Sequence, residues 1–161
     1  MKDKLEAAMR YLKFALERGL KQCRAGRLFM HEHLTSASSW VTAMVKQMID
    51  LEGVYTSKFD FCQLRMTTTG PDGRPALALK RTTVLTNSVN ISEVLRHAQC
   101  TGLHRHVHLE GGKAKTCEVY PDKFVDHICE SIKKEGADST WRRKLAKQLD
   151  ITESRRAVRN R

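Results

Sequence analysis

Apolar residues recur near the start of the chain at Leu5, Met9, Leu12, Leu16 and Leu20, with lysine and glutamate between them. Steps of three or four residues form the stripe of an amphipathic helix over 3–20, which needs a sheet or another helix to cover it. Gly19 lies near its end, and Gly26 precedes a short apolar run from Arg27 to His31 that reads as a strand. Ser36, Ser38 or Ser39 would cap a second helix, whose core face is Trp40, Met44, Val45, Met48 and Leu51 and which Gly53 stops. Residues 54–65, VYTSKFDFCQLR, are rich in β-branched and aromatic side chains and predict a second strand. The unit over 27–65 is thus strand, helix, strand, an arrangement that favours parallel strands and a right-handed crossover.

Gly70-Pro71-Asp72-Gly73 is a strong turn signal, and Ala76 to Asn87 alternates as a strand. A hairpin or an excursion beside the sheet follows from that pairing. Ile91, Val94 and Leu95 predict a short helix starting near Asn90 or Ser92, and a polar, histidine-rich loop occupies 99–112. Pro121 suits the first turn of a last helix that presents Phe124, Val125, Ile128, Cys129 and Ile132 and ends before Gly136. The expected fold class is α/β: a partial Rossmann-like mixed sheet with flanking helices over 1–136, followed by a basic C-terminal tail over 137–161.

Charge adds what periodicity cannot. The 161 residues carry 29 Lys plus Arg against 18 Asp plus Glu, a formal net charge of +11. Such a surplus favours polyanions, nucleic acid before anionic membrane. Arg142, Arg143, Lys144, Lys147, Arg155, Arg156, Arg159 and Arg161 concentrate it in the tail against Asp150 and Glu153. Its sparse apolar residues predict disorder or a helix formed on a partner. No run is long enough to span a membrane and no signal peptide opens the chain, so the expected location is intracellular, with the nucleus open. The five cysteines, Cys23, Cys62, Cys100, Cys117 and Cys129, lack a disulfide framework's spacing and read as reduced thiols.

Two constellations carry chemistry. His31, Glu32 and His33 follow the first expected strand, and the C-terminal end of a strand is where α/β proteins place functional groups. The plain alternative is ordinary loop residues beside a helix cap. The second is CTGLHRHVH, in which Cys100, His104, His106 and His108 lie within nine residues. Cys100, His104 and His106 could ligate zinc, the tetrahedron being completed by His31, His33, Cys62 or Cys117, although no paired CxxC is present. An exposed strand edge or a phosphate-contacting loop would look the same.

The order GRLFMHEHLTSASSW, DFCQ, LKRTTVLTNS, the cysteine and histidine cluster, and AKTCEVYPDKFVDHI resembles a methyltransferase-like domain of copia-type retrotransposon polyproteins of algae, dinoflagellates and fungi, over about residues 10–135. That domain is in turn similar to the C-terminal part of the cytosine-5 DNA methyltransferase catalytic domain. The resemblance implies that Glu32 occupies the place of the glutamate that contacts the target cytosine. Lys80 and Arg81 occupy the place of a basic pattern beside it, whose second arginine is Thr83 here. The glycine-rich turn for S-adenosylmethionine and the Pro-Cys nucleophile loop have no counterpart in the sequence: Gly111-Gly112 follows the histidine loop, and no proline precedes Cys23.

The reading that follows is a non-catalytic, retroelement-derived nucleic-acid-binding module acting through Lys80, Arg81, Arg105, Arg142, Arg143, Lys144, Lys147, Arg155 and Arg156 on DNA or RNA. One alternative is an active cytosine methyltransferase component that takes S-adenosylmethionine only with a partner or a missing N-terminal region. Another is a zinc-stabilised interaction domain. An incomplete sheet further predicts a free edge, covered by a second copy or a partner chain.

Overall fold

A computed structural model describes residues 2–109, 113–136, 147, 149 and 150. Helix α1 spans Lys2–Arg24, strand β1 Met30–Leu34, helix α2 Ala43–Ile49 and strand β2 Tyr55–Asp60. A 3-10 turn, Phe61–Leu64, leads to β3 (Thr67–Thr69), β4 (Pro75–Leu77) and β5 (Arg81–Thr86), then α3 (Val89–Arg96) and α4 (Asp122–Gly136). The class is mixed α/β.

The main sheet has the order β1-β5-β2, and both outer strands pair antiparallel with β5. β1 and β2 therefore run parallel to each other, as the strand, helix, strand unit demands, but β5 is inserted between them. β5 reads RTTVLT, and residues 82–86 are buried on both faces, which suits β-branched side chains in a central strand. The expected long strand over 76–87 is split: β4 pairs with β3 around the Gly70–Gly73 turn, and β5 joins the main sheet. Gly73 takes φ +78 there, a backbone conformation open to glycine.

β1 starts at Met30, three residues later than the pattern predicts. The Asn87 side chain accepts a hydrogen bond from Phe29 N at 2.8 Å and donates to Arg27 O at 2.9 Å, so an amide replaces the ladder there. His31, Glu32 and His33 consequently lie inside a strand, with Glu32 opposite Val84. The serines do not cap α2 either. Thr42 does, accepting from Val45 N, while Ser38–Val41 forms a 3-10 turn. Ser88 caps α3 by accepting from Ile91 N, and α4 runs through Gly136.

Each face of the sheet carries a helical layer. Phe29 and Leu85 meet Leu16 and Cys23 of α1 and Val45 and Met48 of α2. Phe59 and Val84 meet Ile91 and Leu95 of α3 and Phe124 of α4 on the other face. Glu135 joins α4 to α3, since its carboxylate accepts from the Ser88 hydroxyl at 2.7 Å and the Asn90 side chain at 2.6 Å. Within the segment expected to be a free tail, Leu149 is buried in the α1–α2 cluster. Arg142, Arg143, Lys144, Arg155 and Arg156 lie outside the described residues, and Lys147 is exposed.

Candidate functional site

The segment joining β2 to its 3-10 turn carries Asp60, Phe61 and Cys62 in succession, and the segment entering β5 carries Lys80 and Arg81. Pairing of Asp60 with Arg81 and a hydrogen bond from Phe61 N to Lys80 O at 3.1 Å bring the two together. Two polar clusters are built outward from this junction.

The first surrounds Glu32. Its Oε1 is 3.7 Å from Lys80 Nζ, and its Oε2 accepts a hydrogen bond from the Tyr120 hydroxyl at 3.0 Å. The Lys80 ammonium also sits 4.7 Å from the Phe61 ring centroid and 5.8 Å from that of Tyr120. The Glu32 and Lys80 side chains are only 15% and 17% exposed, so the ion pair is largely shielded from water. Burial, followed by the adjacent Glu32 charge, pushes the Tyr120 phenol up to about 12. Of the groups expected around Glu32, Lys80 is present. Arg81 instead faces Asp60, with Nε 3.4 Å from Oδ1, and its side chain is 71% exposed. His104 belongs to the second cluster. Tyr120 was not identifiable as a partner from the sequence, because nothing local connects it with a residue 88 positions away.

The second cluster is Cys62, Cys100, His104 and His106, whose ligating atoms all lie within 4.8 Å of one another. Cys100 Sγ is 3.6 Å from His104 Nε2 and 3.4 Å from His106 Nε2. The Cys100 backbone N–H donates to Asp60 Oδ2 at 2.9 Å, and Gly102 N donates to Cys100 Sγ at 3.3 Å. Gly102 adopts φ +78, which closes the turn around the sulfur. Burial above all, then the neighbouring Cys100, pushes the Cys62 thiol up to about 12; desolvation and the adjacent His104 hold His106 below its usual range. Among the four residues that could have completed the set, the fold selects Cys62. Cys117 lies in the core and contacts Thr67 O at 3.9 Å, while His33 Nδ1 bonds the Ser39 hydroxyl at 2.7 Å. His31 Nε2 has no hydrogen-bond partner among the described residues, and its ring packs edge-on against Trp40.

Beside these clusters the margins of the sheet carry exposed polar side chains that flank the buried Thr83. Register places Lys58, Thr83 and His33 in one row across β2, β5 and β1, with Asp60 and Arg81 opposite each other two residues further along β2. Lys58, His33 and Arg81 are exposed, as is Arg105 between the two histidines. All five cysteines are free thiols, and among the described residues no helix is long and apolar enough to cross a membrane. No protein-family model, curated protein or solved structure matches the chain.

Proposed function

We propose that the chain is a non-catalytic nucleic-acid-binding module whose contact surface includes the exposed polar side chains at the margins of its sheet. The observation that carries this reading is the exposed set Lys58, His33 and Arg81, drawn onto neighbouring positions by strands far apart in the sequence. The Lys58 ammonium and the Arg81 guanidinium suit successive phosphates, Arg81 offering a planar fork for one of them, and the His33 imidazole adds a hydrogen-bonding group between strands. Arg105 extends the basic rim, and the +11 charge supplies long-range attraction. Lys80 has a different role from the one its sequence neighbourhood suggests, because it is committed to Glu32 and two aromatic rings. With both carboxylate oxygens of Glu32 engaged, that residue serves the fold, which favours binding over catalysis.

A degenerate, Rossmann-like methyltransferase origin in a mobile element remains the lineage reading, supported by the place of Glu32 beside Lys80. The free thiols favour a reducing, intracellular setting. The outer edges of β1 and β2, unpaired among the described residues, favour cover by a second copy or a partner.

Fluorescence anisotropy with single-stranded DNA, duplex DNA and single-stranded RNA of mixed sequence tests the binding. The expected result is an affinity that falls linearly in log–log form with salt. Lys58→Glu with Arg81→Glu should weaken it at least tenfold and flatten the slope by roughly one per lost phosphate contact. Absence of binding at low salt, or binding indifferent to both reversals, overturns the sheet-surface assignment.

A further inference from the structure

We infer that Cys62, Cys100, His104 and His106 form a structural zinc site that fastens the 99–107 loop to the 3-10 turn following β2. This inference is independent of nucleic-acid binding. Four groups that each offer a lone pair converge on one point, two of them sulfur and two imidazole nitrogen. That donor set suits zinc, a borderline-soft ion with a tetrahedral preference, and leaves no position open for a reacting water.

Spacing supports the assignment. Zinc bonds of about 2.3 Å to sulfur and about 2.0 Å to nitrogen at tetrahedral angles place neighbouring ligands about 3.3–3.8 Å apart. The two separations from Cys100 Sγ, 3.4 and 3.6 Å, already fall in that range. Both histidines present Nε2, so their Nδ1 atoms are left for outer partners. The surroundings are prepared as well. Gly102 N–H points at the Cys100 sulfur, a bond that strengthens when the sulfur is a thiolate, and Asp60 fixes the Cys100 backbone.

The loop also needs such a fastening. Among the described residues, no backbone–backbone hydrogen bond involves 99–106, and Leu103 is 89% exposed. Order resumes at Val107, which exchanges hydrogen bonds with Leu77 and Leu79 at 2.8 and 3.1 Å. Beyond the Asp60 bond to Cys100 N and the Gln99 bond to Arg96 O, the side-chain cluster is what holds the intervening residues, including Arg105, in place. On binding, Zn²⁺ forms two bonds to sulfur and two to nitrogen while the two thiols release their protons to solvent. Two thiolates balance the ion's charge, so the centre is neutral.

The full chain, purified under reducing conditions and reconstituted with Zn²⁺ alone, should hold one zinc per chain. Replacement by Co²⁺ should give the intense visible bands of a tetrahedral site together with thiolate-to-cobalt charge transfer in the near ultraviolet. Cys62→Ser and Cys100→Ser should each remove about half of that charge transfer, and His104→Gln should lower zinc affinity at least tenfold. Failure of the wild-type chain to bind Co²⁺ tetrahedrally overturns the site, as does charge transfer unchanged in Cys62→Ser. These readouts contain no nucleic acid, so they stand or fall separately from the anisotropy experiment.

Discussion

The Glu32 cluster and the Cys/His cluster grow from the same short backbone junction, yet they differ in how complete they are. Glu32 brings two acceptor oxygens and finds an ammonium and a phenol to match them. The second cluster brings four potential ligands and, apart from Gly102 N–H on one sulfur, gathers them around a common point. A polar group buried with its complement stabilises a fold from within, whereas a gathering of like ligands is completed by a cation. One stretch of chain thus anchors a closed ion pair on one side and a Cys/His cluster that could hold a metal ion on the other, and under the zinc assignment proposed above only the latter would make order depend on what the protein binds.

Removing Lys80 is the most direct way to break the closed cluster. Lys80→Ala leaves a shielded carboxylate with a phenol alone, and should cost about 2 kcal/mol after allowance for partial exposure. Urea unfolding checks this, and Lys80→Met combined with Glu32→Leu should recover much of the loss, since no charge then remains unpaired. A smaller loss, about 1 kcal/mol, is expected for Tyr120→Phe, which deletes one hydrogen bond to a charged acceptor. In the intact protein, absorbance titration should show one tyrosine ionising at about 12. Glu32→Gln should bring that ionisation down, because the adjacent negative charge is gone while burial persists; an unchanged value would separate Tyr120 from Glu32.

The smallest effect concerns His31. Burial, then the neighbouring His33, depresses its pKa below the ordinary value near 6.5. With the folded-state value the lower one, the unfolded chain binds the extra proton first as pH falls. The contribution is complete above about pH 6.5 and is lost progressively as pH drops below it. His31→Gln should accordingly show a shallower fall in Tm between neutral and mildly acidic pH than the wild type. Equal slopes would mean that the histidine titrates alike in both states.

Local signals made much of the framework legible. The apolar stripe of α1, the Gly-Pro-Asp-Gly turn, the helix after Pro121 and the Cys100, His104, His106 trio each depend on residues within a few positions of one another. The strand boundaries were less accessible, because the Asn87 amide replaces ladder bonds to a segment nearly 60 residues earlier. Glu32 belongs to the strand interior for the same reason: pairing with β5, not its own neighbours, decides where β1 begins and ends.

What the sequence determined by itself was the set of pieces: helix periodicity, turn chemistry, a basic surplus and three closely spaced metal-ligating residues. These are properties of short stretches of chain, so they can be read without knowing what lies beside them. The tertiary structure alone decided that β5 separates β1 from β2, that Cys62 completes the ligand set, that Lys80 turns inward and that Lys58 joins Arg81 on an open surface. Each of those outcomes depends on the register between distant segments, where hydrogen-bond pairing and burial on both sheet faces choose among partners that local pattern leaves equivalent.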